Sequence, residues 1–172
     1  MGFDVARRYT SFQQVELDTQ GGVFRNESEL KHAFVEALKE ELGGSKSKCN
    51  EYVVKGMLIP ALDEALKSGR KPDIRVSNLV VEVEPPVADL SKGREQLFNY
   101  MKELHQQLQG KTVVYGLVTN GIKAEFYEYS GKDPKLLLED SMANVARGAL
   151  ELFCSQKIPV VDAKDLVRLF GV

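Results

Sequence analysis

The chain of 172 residues contains no tryptophan and only two histidines and two cysteines, and its formal net charge is only −2 at pH 7. This balance excludes a polycation that coats nucleic acid over its whole surface, so any contact with nucleic acid must be local. Cys49 and Cys154 lack a CxxC motif and a neighbouring histidine, so they indicate no zinc site and are expected to be ordinary thiols. His32 and His105 are expected at surface positions of helices, without a functional role.

Long apolar runs are also absent. No stretch approaches the roughly 20 residues of a membrane-spanning helix, and the N-terminal segment lacks the apolar core of a signal peptide. We therefore expect a cytoplasmic protein without a membrane partner. Hydrophobic residues make up 43% of the chain, enough for one core and hence for a single domain over residues 1–172.

The most informative segment is a short β-hairpin around Ser77 and Asn78. If these two residues form the hairpin loop, Asp73 lies directly opposite Glu82, and like charges in such a pair are destabilising. Strand alternation adds Glu84 to the same face. The opposite face is entirely apolar and consists of Ile74, Val76, Leu79, Val81 and Val83. A hard divalent cation with oxygen ligands is the simplest partner for three crowded carboxylates.

Periodicity and turn signals predict the remaining elements. We expect an N-terminal arm over residues 1–26, with a strand or extended piece over 12–17, and then a core over 27–129. In that core, a first helix capped by Asn26 or Ser28 ends at Gly43-Gly44, and further helices cover 50–68 and 89–109. Strands over 112–119 and 122–129 join through a type I′ turn at Asn120-Gly121. Residues 130–172 are expected to form a helical extension, with helices over 141–154 and 162–170.

The resulting order of elements is ααββαββ, followed by C-terminal helices. Such an order is typical of an α/β protein in which a helix crosses over one face of a mixed sheet. The sequence therefore predicts a mixed sheet of about four strands flanked by helices.

Three short motifs in this order resemble the PD-(D/E)xK nuclease superfamily. They are Pro72-Asp73, Glu82-Val83-Glu84 and the segment from Gln96 to Tyr100, which matches the QxxxY motif of one branch. The resemblance covers roughly residues 27–129 and is strongest to nuclease domains of restriction-modification enzymes. It implies a restriction-endonuclease-like core and a metal-dependent DNA endonuclease of restriction-modification or DNA-defence type.

The resemblance also implies roles for individual residues. Asp73, Glu82 and the backbone carbonyl of Val83 would bind Mg²⁺ or Mn²⁺, and the first helix would add a glutamate, either Glu27 or Glu36. Gln96 and Tyr100 lie one helical turn apart and would reach towards the site and the DNA backbone.

One position departs from the family pattern, because Glu84 stands where the superfamily has a lysine. Three interpretations remain open. In the first, Glu84 serves as general base or further metal ligand. In the second, a lysine elsewhere supplies the positive charge, either Lys71 opposite Glu84 or Lys92 one turn before Gln96. In the third, catalysis is lost, and the fold serves DNA binding or assembly. A plain α/β interaction module with a solvated acidic face is a further alternative.

DNA is the partner that the resemblance implies. A net-acidic nuclease of this size has little surface with which to grip a duplex. We therefore expect a homodimer, or an associated methylase or recognition domain, as a second partner.

Overall fold

The computed structural model describes residues 2–3, 8–43 and 65–155. Within these residues, four helices and five strands follow one another along the chain. They are α1 (Phe12–Gln20), α2 (Glu27–Gly43), β1 (Ile74–Val76), β2 (Leu79–Val83), α3 (Ser91–Gln107), β3 (Val114–Thr119), β4 (Lys123–Tyr129), β5 (Lys135–Ser141) and α4 (Met142–Cys154).

The strands form one mixed sheet in the order β1-β2-β3-β4-β5. Strands β2 and β3 are parallel and α3 connects them, whereas the other neighbouring pairs are antiparallel. The predicted α/β class is therefore confirmed, with five strands in place of about four.

The first hairpin has the predicted register. Val76 pairs with Leu79 and Ile74 pairs with Val81, so Ser77 and Asn78 form the two-residue loop. The ladder ends at Ile74, because Pro72 has no N–H with which to continue it. Lys71 is therefore not paired opposite Glu84, and that part of the prediction is wrong.

Both faces of the sheet are covered. On one face, α1, α2 and α4 enclose a large core that includes the apolar face of the first hairpin, with Ile74, Val76, Leu79, Val81 and Val83 all buried. On the other face, three side chains of α3, Leu97, Met101 and Leu104, pack in one core cluster with Val80 and Val118 of the sheet. Strand β2 is thus buried on both faces, which makes any charged side chain on it costly unless it is compensated.

Gly116 on β3 allows α3 to approach the sheet closely. A Cβ atom built on Gly116 would lie 2.4 Å from Met101 Sδ and 3.1 Å from Leu97 Cδ1. The missing side chain therefore fixes the distance between α3 and the sheet.

Gly116→Ala is expected to lower the free energy of unfolding by about 1–3 kcal/mol, because the buried helix side chains must leave their positions. Urea denaturation measures this change. Gly21→Ala is the matched control, since its Cβ would meet only ordinary contacts, the nearest 3.4 Å away at Leu17 O. Equal losses in both variants would contradict the close approach of α3.

The N-terminal arm was predicted wrongly. Residues 12–20 form α1, and Ser11 caps its N-terminus, because the Ser11 Oγ accepts from the Gln14 N–H at 3.3 Å. Phe12 and Val15 are part of the main core. Their spacing suits a helix with one buried face rather than a strand. Asn26 caps α2 as predicted, because its Oδ1 accepts from the Glu29 N–H at 3.0 Å.

The C-terminal extension is only partly helical. Residues 135–141 form β5, the edge strand beside β4, whereas α4 matches the predicted helix over 141–154. The run Lys135-Leu-Leu-Leu-Glu has high helix propensity, and sheet pairing overrides it. The predicted helix over 162–170 lies outside the described residues, as does most of the one over 50–68. Residues 65–68 at the end of the latter are not helical.

Three smaller expectations were also wrong. The β3–β4 connection spans three residues, and only Gly121 has a positive φ there, so the connection is not a type I′ turn. His105 is buried and its ring lies 5.0 Å from that of Tyr129, whereas His32 is exposed as expected. Cys154 is disulfide-bonded rather than an ordinary thiol.

Candidate functional site

The centre of the site is the contact between Asp73 and Glu82. The Val83 N–H donates to Asp73 Oδ2 at 2.8 Å, and the Asp73 N–H donates to Glu82 Oε1 at 3.3 Å. The Asp73 side chain thus continues the hydrogen bonding between the two strands beyond the last backbone pair of the hairpin. Both predicted carboxylates lie together beside the start of β1, and Glu82 is only 4% exposed.

This arrangement changes the acidity of Glu82. Burial raises its pKa most, and the negative charge of Asp73, a side-chain hydrogen bond with Asp73 and the charge of Glu84 raise it further, to about 9. At neutral pH, the pair therefore holds a proton or needs another positive charge in its place.

The raised pKa predicts that the protein becomes less stable as the pH rises. Glu82 has an ordinary pKa of 4.5 and about 9 in the folded state, so only the folded protein holds this proton between these values. Its contribution is fully present below pH 4.5 and is lost as the pH approaches 9, with a slope of up to about 1.4 kcal/mol per pH unit.

We expect Glu82→Gln, which cannot ionise, to reduce this slope and to gain stability relative to the wild type at alkaline pH. Urea unfolding of both proteins at several pH values in EDTA measures it. Glu128→Gln, on β4 and separated from β2 by β3, is the control and should keep the wild-type slope. Parallel slopes for Glu82→Gln and the wild type would contradict a buried proton at Glu82.

Glu84 lies at the same edge, directly after β2. Its N–H donates to Thr119 O at 2.8 Å, and its carboxylate packs against the first turn of α3. A Cβ on Gly93 would lie 2.1 Å from Glu84 Oε1, so glycine is the residue that leaves room for this carboxylate. Burial and the charge of Asp73 raise the pKa of Glu84, and Lys92 lowers it.

Glu27 and Lys92 complete the cluster. Burial raises the pKa of Glu27, the charges of Asp73 and Glu84 raise it further, and Lys31 and Lys92 lower it. Of the two acids considered on α2, Glu27 is thus the one that interacts with the hairpin. The positive charge of Lys92 lowers the pKa of both Glu27 and Glu84. We call Glu27, Asp73, Glu82, Glu84 and Lys92 the acidic cluster.

Tyr100 borders the acidic cluster. Its hydroxyl donates to the Lys71 carbonyl oxygen at 3.3 Å. Burial raises the Tyr100 pKa most, followed by the charge of Glu82, whereas Arg70 lowers it. The Arg70 guanidinium lies 4.9 Å from the centre of the Tyr100 ring. The side chain of Gln96, one turn earlier on α3, is exposed.

Sequence reasoning missed two features beside the cluster. One is Gly93. A glycine in the first turn of an amphipathic helix was the sequence feature that could have indicated it. The other is a charged network: Arg94 Nε and Nη2 donate to the two carboxylate oxygens of Glu125, both at 2.8 Å, and Tyr127 Oη donates to Glu125 Oε1 at 2.6 Å. Here the signal was an acid at an inward position of β4. The network holds the first turn of α3 on the sheet.

The donor set suits a hard cation in chemical terms. Asp73 and Glu82 present adjoining carboxylates, the ligands that Mg²⁺ and Mn²⁺ prefer. Burial and the charge of Asp73 raise the pKa of Glu82, and a cation beside the pair would act in the opposite direction. Among the described residues, however, no group of three or more His, Cys, Asp or Glu side chains is arranged so that it could hold a metal ion. Asp73, Glu82 and Glu84, which were expected to crowd around one cation, are therefore not arranged as a metal site, and neither are Asp73, Glu82 and Glu27 of the set that the resemblance implies.

Comparison with models of protein families, with curated proteins and with solved structures gives no match. In the described parts of the chain, no helix is both long and apolar enough to cross a membrane.

Proposed function

We propose that this protein is a metal-dependent DNA endonuclease that hydrolyses phosphodiester bonds, of the restriction-modification or DNA-defence type. The main support is the contact of Asp73 with Glu82 at the end of a hairpin, within a cluster that Glu27, Glu84 and Lys92 complete. The element order around this cluster and the resemblance to PD-(D/E)xK nucleases agree with the proposal.

Asp73, Glu82 and the Val83 carbonyl would hold Mg²⁺ or Mn²⁺, and Glu27 would become a further ligand only after it moves closer to them. The bound ion would polarise the scissile phosphate and lower the pKa of the attacking water. No covalent enzyme intermediate is required for this hydrolysis.

The other residues of the cluster then have distinct tasks. Glu84 accepts a proton from the attacking water as general base, since its carboxylate faces the same site. Lys92 places an ammonium group beside the acids and offsets negative charge that develops on the phosphate, the task of the lysine that Glu84 replaces. Gln96 and Tyr100, on the same helix, contact the DNA backbone, with Lys71 and Arg70 as neighbouring cations.

Plasmid nicking and metal binding test the proposal. The wild-type protein should nick supercoiled DNA in Mn²⁺ or Mg²⁺ but not in EDTA, and calorimetry should record binding of the metal ion. Metal binding without nicking would favour an inactive domain of the same fold that serves DNA binding or assembly. If neither metal binding nor nicking is observed, the protein is an α/β interaction module, although Glu82 and Glu84 are buried and the acidic face is not solvated as that alternative expected.

A further inference from the structure

A short loop lies against α3 and leads directly to Asp73 of the acidic cluster. It consists of residues 66–71, and we call it the basic loop because it contains Lys67, Arg70 and Lys71, all three exposed. Leu66 anchors the loop, since its side chain is buried in the core cluster that α3 covers. The loop is also closed on itself, because the Leu66 N–H donates to Arg70 O at 2.8 Å. Three basic side chains are therefore held together at one place on the surface.

Polar side chains of α3 fix the position of the basic loop. Glu103 and Gln107 lie four residues apart and so share one face of the helix. The Lys67 N–H donates to Gln107 Oε1 at 2.9 Å. Glu103 accepts from Ser68 Oγ at 2.7 Å and from Arg70 Nη1 at 3.2 Å. The loop thus keeps a defined position along α3.

Arg70 is held in a fixed orientation and still has capacity to bind an anion. Its guanidinium stacks over the ring of Tyr100, a favourable placement for a cation. Glu103 accepts from Nη1, but a guanidinium carries five N–H donors, and 48% of the Arg70 side chain is exposed. Such donors suit the oxygens of a phosphate.

The charges at the basic loop favour a polyanion. Three basic side chains carry three positive charges, and the contact of Glu103 with Arg70 offsets one of them. The loop also lies close to Asp73 and Glu82. Burial raises the Tyr100 pKa most, and the charges of Glu82, Arg70 and Asp73 act on the same hydroxyl. A strand whose phosphate lies at these two acids can therefore extend onto the basic loop.

We propose that the basic loop binds the phosphates of the nucleic-acid strand on which the acidic cluster acts, with Arg70 and Lys67 at separate phosphates. This inference rests on the proposed nuclease function and names the surface along which the substrate extends, from the acidic cluster along α3 towards Gln107. Tyr100 and Gln107 lie about 10 Å apart along the helix, whereas phosphates repeat about every 3.4 Å along one strand of B-DNA. The two cations can thus reach different phosphates.

Fluorescence anisotropy with short labelled duplexes tests the basic loop without reliance on cleavage. The titrations are done in Ca²⁺, to offset the charge of the acidic cluster, at several salt concentrations. Lys67→Gln and Arg70→Gln should each weaken binding roughly five- to tenfold at about 0.1 M salt, because each removes one phosphate contact. Each should also lower the slope of log affinity against log salt by about one, and equally for duplexes of unrelated sequence, since contacts to phosphates carry no sequence information.

Two further variants serve as controls. Lys135→Gln removes an exposed lysine of β5, at the opposite edge of the sheet from β1, and should leave affinity and salt slope unchanged. Arg70→Lys keeps the positive charge and should retain the wild-type salt slope, with a loss of only a few-fold in affinity. All variants should melt close to the wild-type temperature, because exposed ion pairs contribute little to stability.

The outcomes separate this inference from the proposed function. Unchanged affinity and salt slope in either Lys67→Gln or Arg70→Gln would overturn the basic-loop inference even if the protein nicks DNA. An equal loss in Arg70→Lys and Arg70→Gln at an unchanged slope would also overturn it, because arginine would then act through packing rather than charge. Weaker binding with lower slopes would support the inference even if the wild-type protein shows no metal-dependent nicking, in which case only the nuclease assignment fails.

Discussion

Asp73→Asn is expected to reduce Mn²⁺-dependent nicking about a thousandfold, because it removes one of the two carboxylates that would hold the metal ion. The amide oxygen of asparagine can still accept the hydrogen bond that the Val83 N–H donates to Asp73 Oδ2. The end of the hairpin should therefore keep its geometry, and the loss should come from charge and metal binding rather than from unfolding.

The same variant should be more stable than the wild type at alkaline pH. The charge of Asp73 and a hydrogen bond with Asp73 help to raise the Glu82 pKa to about 9, so without them Glu82 ionises at lower pH with less cost to the folded state. Lower activity together with higher alkaline stability distinguishes a catalytic role from a structural one. Thermal melting at several pH values in EDTA, beside the nicking assay, records both.

Asp133→Asn is the matched control, because Asp133 is an exposed acid in the loop between β4 and β5. It should nick DNA at the wild-type rate and melt at the wild-type temperature. If Asp73→Asn nicks DNA as fast as this control in parallel preparations, the activity comes from a contaminant or from another site, and the proposed metal site is wrong.

The part of the site that the sequence predicts correctly depends on strand alternation and hairpin register. Once Ser77 and Asn78 are recognised as a two-residue loop, the positions of Asp73 and Glu82 follow, and the structure brings their carboxylates together. These relations act over a few residues and are fixed by backbone geometry. Glu27 comes from a different element, and only the family resemblance indicated it.

The parts that could not be predicted depend on packing between distant elements. Gly93 leaves room for the Glu84 carboxylate, but this contact joins a helix to a loop. It therefore produces no periodic pattern in the local sequence. The pairing of Arg94 with Glu125 spans 31 residues. Strand β5 forms because β4 offers it a partner, although its leucines and glutamate favour a helix when considered alone.

The position of Lys92 bears on how the proposed nuclease would work without the usual lysine. Glu84 occupies the position of the lysine in the superfamily that the sequence resembles, and Lys92 lowers the pKa of Glu84 and Glu27 from the first turn of α3. The Arg94–Glu125 pair follows two residues later and holds that turn on the sheet. Helix α3 can therefore supply a positive charge to a site to which the hairpin contributes only carboxylates.

Lys92→Met is accordingly expected to lower the nicking rate about a hundredfold while metal affinity stays within a few-fold of wild type, because a group that offsets charge on the phosphate acts on the reaction more than on the ion. Lys92→Arg should retain more activity than Lys92→Met, since it keeps the positive charge. Rates of plasmid nicking and calorimetry with Mn²⁺ give the two quantities.

Lys71→Met is the matched variant for the competing assignment. Lys71 precedes Pro72 and lies outside the β1–β2 ladder, so its loss should change the rate by only a few-fold. The reverse result, a large loss in Lys71→Met and near wild-type rates in Lys92→Met, would assign the missing charge to Lys71. Unchanged rates in both variants would mean that no lysine replaces the missing one, and that Glu84 acts with the metal ion alone.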